Sequence, residues 1–408
     1  LASVASMIDQ FNIPNIELLK SLGYQVDVAA DFTEPGTITP KRAGELKQRL
    51  EAMDVKVIDI PFPRSLDLKK IVSSYKRLRH LAANTHYDIV HCQSPVGGAI
   101  CRLVFRKYRG KHGNSMCADE ACSASSRQIK QTDKADRNSN TKIIYTAHGF
   151  HFYSGAPVKN WILYYPVEKW LSRYTDILIT INKEDYRRAK EKFKAVKTVY
   201  VPGIGIDLDR FGKELTTDAK LEKREKLGVD PNTIMILSVG ELNENKNHTI
   251  VINAITQLNP VIDKKVCYVI AGTGGLEKKL RLEAKEKGVN LKLLGYRTDV
   301  AELYKCADLY ILPSKREGLN VSLLEAIASG VPVLCSDIRG NRDVVPESAR
   351  FLPENSSMLA DKVVKYLDQK LTGKEINSNR TLIMYYSKEE VMKRVRRVYL
   401  SQKIPANC

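Results

Sequence analysis

Short apolar runs recur along this chain, each followed by a longer stretch in which apolar residues return every three or four positions among charged ones. The runs lack the in-and-out alternation of a half-exposed strand. They therefore predict parallel strands covered on both faces, and the stretches between them predict the covering helices. Strands are expected at Leu1–Ser6, Gln25–Ala29, Val55–Ile60, Tyr87–Cys92, Lys142–Ala147 and Thr175–Ile181, and again at Ile234–Val239, Val266–Ala271, Leu291–Leu294, Ala307–Leu312 and Val331–Cys335. Such alternation builds βαβ units in an α/β fold. Pro202, Gly203 and Gly205 interrupt the series, and the charged helical stretch Lys213–Leu227 follows before the next strand. At 408 residues the chain exceeds one usual domain, so two are expected, 1–206 and 207–385, with the crossing near 201–212. The chain opens inside an apolar run with no initiator Met, so a few residues are expected to precede Leu1.

One segment departs from the pattern. Residues 108–140 are polar and poor in large apolar side chains, and they read as an atypical insertion or loop ahead of the strand Lys142–Ala147. Cys117 and Cys122 within it have no companion Cys or His motif of the kind zinc requires. Of the eight cysteines, Cys92, Cys267, Cys306 and Cys335 sit in apolar runs and read as small buried hydrophobes. With no disulfide-like spacing and no secretory signal, the cytoplasm is the expected compartment. No apolar stretch approaches the ~20 residues that cross a bilayer, so any membrane contact is peripheral.

Charge adds to that picture. Lys and Arg number 65 against 47 Asp and Glu, a net charge of +18. Residues 1–201 carry 32 basic against 20 acidic side chains, so the first half holds most of the surplus. Lys69, Lys70, Lys76, Arg77 and Arg79 fall in one helical stretch, and Arg102, Arg106, Lys107, Arg109 and Lys111 in another. Basic faces of this kind attract anionic lipid, with a merely solvated face as the alternative. Nucleic acid is not expected as a partner, because no recognised binding module or interleaved aromatic platform occurs.

The most informative chemistry lies between Pro313 and Ser336, PSKREGLNVSLLEAIASGVPVLCS. An apolar strand run precedes it, and Asn320–Ser329 has the spacing of a short helix stopped by Gly330. Glu317 therefore leaves the carboxyl end of a strand, where open α/β sheets bind ligands, and Glu325 lies on the following helix. Carboxylates accept paired hydroxyl hydrogen bonds from polyhydroxylated ligands. Gly318 permits close backbone approach, and the helix start favours an anion.

These residues resemble the family 4 retaining glycosyltransferases of the GT-B fold, two Rossmann-like domains facing a central cleft. The resemblance rests on the Glu317-x7-Glu325 signature with AIASGVPVLCSD after it, and on Ser314 before it. Four further segments stand in family order: Tyr145–Tyr153 (YTAHGFHFY), Val201–Asp207 (VPGIGID), Ser238–Asn247 (SVGELNENKN) and Ala271–Gly274 (AGTG). The likeness is greatest to bacterial enzymes that build capsular or exopolysaccharide. It implies an amino-terminal acceptor domain, a nucleotide-sugar donor domain, and a last helix within 386–408, around Lys388–Tyr399, that returns to the first domain. It also implies transfer from a nucleotide-diphosphate sugar, a UDP-sugar in the first instance, to a polyprenyl-diphosphate-linked or other saccharide acceptor, with retention and without metal or other cofactor.

By that resemblance Glu325 takes the ribose hydroxyls and Glu317 the donor sugar, with the Gly318, Leu319 and Asn320 backbone near the phosphates. Lys246 contacts the diphosphate and Gly240 allows it to approach. His148, at a strand end and followed by Gly149, donates to the donor, and His151 lines the acceptor side. The family normally has an Arg five residues before Lys246, where this chain has Glu241, a residue that repels phosphate. Trp161–Trp170 (WILYYPVEKW) reads as a buried helix with Pro166 near its middle, contact with acceptor or lipid being the alternative. Two other readings stay open at this point: a GT-B nucleotide-sugar epimerase, and a non-catalytic partner subunit of the same fold.

Overall fold

The computed structural model describes residues 1–63, 67–110, 140–258, 264–368 and 381–401. Twelve strands occur among them, all paired in parallel: β1 (Asp27–Ala30), β2 (Lys56–Asp59), β3 (Ile89–Gln93), β4 (Lys142–Ala147), β5 (Ile177–Thr180), β6 (Lys197–Tyr200), β7 (Ile234–Val239), β8 (Val266–Ala271), β9 (Asn290–Leu293), β10 (Leu309–Leu312), β11 (Val333–Ser336) and β12 (Arg350–Phe351). The first lobe holds β1-β2 and the sheet β3-β4-β5-β6; the second holds a six-stranded sheet in the order β12-β11-β10-β7-β8-β9.

The second sheet shows why its strands read as unbroken apolar runs. Met235, Leu237, Cys267, Val269, Tyr310 and Leu312 pack into one cluster on one face. Their alternates Ile236, Tyr268, Ile270, Leu309 and Ile311 pack into another on the opposite face. A period of two with both faces covered leaves few polar positions, and each such buried apolar side chain contributes about 1.5–3 kcal/mol. Cys92, Cys267, Cys306 and Cys335 are buried, as their surroundings predict.

The chain crosses between lobes where glycine is required. Gly205 has φ +83°, and a Cβ there would lie 2.6 Å from Lys388 Cα. Beside it the Ile206 N–H donates to Tyr386 O and the Lys388 N–H donates to Ile206 O. Ser387 caps the last helix, Lys388–Leu400, by accepting from the Glu390 N–H. That helix lays Val391, Val395, Val398 and Tyr399 on Ile144, Ile177 and Ile179 of the first sheet.

Three expectations need correction. Leu1–Ser6 is not a strand: only Val4 bridges to Asp31, and a helix runs over Ala5–Phe11. The opening residues lie between β1 and β3, Ala2 N–H donating to Ala29 O and Leu1 O accepting from the Gln93 N–H. Second, Arg102 does not belong to a basic surface, being buried on the helix Pro95–Phe105, where its Nη2 donates to Glu168 at 2.9 Å. Third, the helix Val158–Leu171 is not buried, since Ile162 and Leu163 are 69% and 58% exposed. Residues 111–139, with Cys117 and Cys122, lie outside the described residues, but their flanks meet: the Thr141 N–H donates to Tyr108 O at 3.0 Å.

Candidate functional site

The expected site residues gather where strand ends of both lobes face each other. In the second lobe two loops meet, one leaving β7 and one leaving β10. Lys246 Nζ donates to Glu317 Oε1 at 2.7 Å. The Lys315 N–H donates to Asn245 O at 2.8 Å, and Asn245 Nδ2 to Arg316 O at 2.9 Å. The loop before Lys246 approaches the next strand end closely enough to require glycine, since a Cβ on Gly272 would lie 1.8 Å from Gly240 O. Gly240 itself borders the Lys246 stem, its ideal Cβ position being 3.3 Å from Lys246 Cε. Both charged side chains are mostly but not wholly covered, at 18% and 16% exposure. One carboxylate oxygen of Glu317 and two ammonium N–H groups of Lys246 are left over by this pair.

Asn320 begins the helix Val321–Ala328, its Oδ1 accepting from the Leu323 N–H at 3.2 Å and from the Ser322 hydroxyl at 2.6 Å. Its Oδ1 is thereby spent as a cap, as the side chain of Leu319 is spent in packing on Gly203. Their backbones, and the Nδ2 donors of Asn320, are what can meet a ligand. Glu325, one turn on, is half-buried and accepts from the Tyr304 hydroxyl at 3.0 Å. Burial pushes its carboxyl up to about 7, against the pull of Tyr304 and Arg210. Ser314 is fully buried and its hydroxyl has no hydrogen-bond partner among the described residues. Glu241 is exposed.

In the first lobe His148 ends β4. Its orientation follows from a chain of amides that starts at a backbone carbonyl. Met7 O can only accept, so Asn12 donates to it through Nδ2 at 2.8 Å; Asn12 Oδ1 then accepts from Gln93 Nε2. Gln93 Oε1 is left facing His148 Nε2 at 2.5 Å, so Nε2 carries the proton and Nδ1 the lone pair, which corrects the expectation that His148 donates to the ligand: its one N–H is spent on Gln93 and the free nitrogen accepts. Burial lowers the imidazole to about 4, which keeps it neutral at neutral pH. His151 stacks on Tyr164 with centroids 4.6 Å apart. Burial lowers its value, with Arg316 and Arg339 adding to the shift.

The lobes touch at this place. A Cβ on Gly318 would stand 1.9 Å from His148 O, and one on Gly340 would stand 1.9 Å from Gly318 O, so three backbones stack with no room for side chains. Arg339 ties the stack: Nε donates to Glu317 O at 3.0 Å and Nη1 to Asp185 Oδ1 of the first lobe at 2.9 Å, both side chains being buried. Asp185 Oδ2 in turn accepts from the Phe150 N–H at 3.0 Å, two residues beyond His148. A second tie joins the Lys183 N–H to Asp343 Oδ2 at 2.7 Å.

The structure thus brings His148, Lys246, Glu317 and Gly318 together, whereas Glu325 meets Tyr304 on the following helix and Ser314 is fully buried. Sequence reasoning missed Gln93, Asp185, Arg316 and Arg339. Gln93 alone left a local sign, a polar residue closing the apolar run of β3 at the strand end that binds ligands. Among the described residues no cluster of three or more His, Cys, Asp or Glu is placed to hold a metal ion, and no helix is long and apolar enough to cross a membrane.

Comparison with known proteins fits this geometry. The family described as "Glycosyl transferases group 1" matches residues 219–385, and "Glycosyl transferase 4-like domain" matches residues 15–203. The chain is 35% identical over 347 residues to the protein of Bacillus subtilis (strain 168) named as glycosyltransferase EpsD, covering 84% of this chain and 79% of that one. It is 27% identical over 353 residues to an Escherichia coli UDP-Gal:alpha-D-GlcNAc-diphosphoundecaprenol alpha-1,3-galactosyltransferase, covering 85% and 80%. In fold it is similar to Anabaena Alr3699/HepE solved with UDP and glucose, with a TM-score of 0.70 at 15% identity over 98% of each chain. It is likewise similar to WaaG, a glycosyltransferase involved in lipopolysaccharide biosynthesis, with a TM-score of 0.65 at 16% identity over 95% of each.

Proposed function

From the premise that this chain belongs to the group 1 glycosyltransferases, of the family 4 type and the GT-B fold, we propose that its cleft moves a sugar from a UDP-sugar to a lipid-linked diphosphate acceptor with retention at the anomeric carbon. It is a glycosyltransferase of polysaccharide synthesis. The observation that carries the finer reading is the Lys246–Glu317 pair, 2.7 Å apart at two strand ends and one residue from the backbone contact with His148. The UDP-galactose and diphosphoundecaprenol in the name of the E. coli relative, and the UDP and glucose of the HepE complex, support donor and acceptor.

In this reading the diphosphate takes the ammonium of Lys246, and the sugar hydroxyls take Glu317, so the ligand replaces each partner of the pair with a charge or donor of the same kind. Departure of the diphosphate builds negative charge, which a fixed ammonium and the first N–H groups of the helix Val321–Ala328 stabilise without reorganising. Glu325 accepts the ribose hydroxyls. His148, neutral and held by Gln93, offers its Nδ1 to the bound sugar and orients it toward the acceptor hydroxyl, which attacks from the face that the diphosphate leaves. No step calls for a metal, so a chelator is expected to leave the rate unchanged.

The test is UDP release in the presence of a polyprenyl-diphosphate-linked saccharide, with UDP-sugars screened in turn. His148→Ala, Lys246→Ala and Glu317→Ala are each expected to keep the fold and lose at least ~100-fold in transfer rate. Near-normal turnover in all three would refute the site.

A further inference from the structure

The helix Val158–Leu171 packs Trp161, Tyr165 and Leu171 inward yet keeps a second apolar face outward. Toward the protein it turns Glu168, which accepts from Arg102 at 2.9 Å and from the Tyr145 hydroxyl at 3.2 Å, while the Arg102 guanidinium lies 3.9 Å over the Tyr145 ring. Toward solvent it turns Val158, Ile162, Leu163, Val167 and Trp170, between 40% and 73% exposed. Soluble helices bury the apolar stripe and expose the charge, and a contiguous apolar face of this kind marks an interaction surface. The charges left on the outer face are all of one sign: Lys159 and Lys169 are exposed, Arg173 follows, and the helix's single acid is the buried Glu168. Beyond Trp170 the aromatic and basic character continues, with Trp170 against Tyr174 and Arg106 over the Tyr174 ring.

We propose that this face lies on an anionic lipid surface, with Ile162, Leu163 and Val167 entering the acyl boundary and Lys159, Lys169 and Arg173 at the headgroups. A second copy of the chain fits less well. A twofold contact would set these lysines against their own counterparts with no carboxylate to meet them. The face also adjoins the cleft, because Tyr164 of the same helix carries the His151 ring. The proposal deepens the lipid-linked acceptor reading and rests on it, since such an acceptor is held at that surface.

The full chain would be sedimented with vesicles of phosphatidylglycerol and phosphatidylcholine, and with phosphatidylcholine alone. Binding is expected to anionic vesicles and to weaken with salt. The triple variant Ile162→Ser/Leu163→Ser/Val167→Ser is expected to bind at least about tenfold more weakly, at unchanged UDP affinity. Should that variant lose stability, brominated lipid gives a second readout: it should quench Trp170 in the otherwise native chain, and Trp170→Phe should remove the quenching. No vesicle binding, undiminished binding by a folded triple variant, or a native dimer that the triple variant turns into a monomer would each overturn the proposal. Vesicle binding by a chain that binds no UDP would sink the donor reading and leave this surface standing.

Discussion

The mouth of the second lobe is closed on itself by polar contacts, Lys246 to Glu317 and Asn245 to Arg316, whereas the first lobe presents His148 braced from behind and, beside it, a helix with its apolar side outward. Lys246 and Glu317 already satisfy each other, so in the proposed reading a ligand binds there by exchange, bringing both a diphosphate and hydroxyls. On the first lobe the polar side chains are paired inward, Glu168 with Arg102 and Asp185 with Arg339, and the outer face of the helix Val158–Leu171 suits a partner that is greasy and extended. One cleft thus recognises by substitution on one wall and by simple coverage on the other. In the proposed reading, specificity for the donor follows from the first rule, because a molecule lacking either group leaves a mostly covered charge unpaired.

The contrast depends on the two walls being held in register, and the contact at Gly318 is the place to break it. Gly318→Ala sets a methyl group 1.9 Å from His148 O, which neither backbone can accommodate without parting. We expect kcat to fall at least ~100-fold, the scale of an ångström of misplacement, and the thermal midpoint to fall with it. A rate within threefold of the native one would show that the walls need not touch there.

Next in size is the tie itself. Arg339→Ala leaves Asp185 buried without its cation, and we expect a loss of about 3 kcal/mol on unfolding. Adding Asp185→Ala should recover part of that loss, and a double variant as unstable as the sum of the singles would deny the coupling.

The smallest effect sharpens the donor wall. Folding moves Glu325 from an ordinary value of 4.5 up to about 7. Its neutral form is the one favoured on folding, so this contribution to stability is full below pH ~4.5 and is lost as the pH rises through 7. Ribose hydroxyls favour the carboxylate, so uridine binding should strengthen about tenfold between pH 6 and 8. In Glu325→Gln that slope should vanish, since His148 stays neutral throughout the range. A slope that persists in Glu325→Gln, followed by calorimetry, would take the ribose away from this residue.

Legibility in the sequence followed burial on both faces. β4, β7 and β8 run between the residues expected, because a covered parallel strand reads as a nearly continuous apolar run. β6 and β12 escaped notice, one an edge strand reading KTVY with only partial cover, the other two residues long. Apolar content does not reveal which way it faces. Leu1–Ser6 has the composition of a strand yet runs into a helix at Ala5, and Trp161–Trp170 has that of a buried helix yet shows Ile162, Leu163 and Val167 to solvent. Charge has the same blindness: Arg102 sits in a basic run, but Glu168, 66 positions away, takes it inside. At the site, Lys246, Glu317 and His148 were readable because strand ends and glycines mark them locally. The partner of Arg339 lies 154 residues off and that of His148 lies 55 off, separations that no local pattern spans.

The hydrogen bond from the Thr141 N–H to Tyr108 O has a bearing on how such a protein can vary. Two residues clasped in this way define a doorway: whatever chain is strung between them begins and ends at the same spot on the sheet. A descendant can shorten that string to a turn, or lengthen it into an appendage fitted to its own company of enzymes, and β4 delivers His148 to the same point either way.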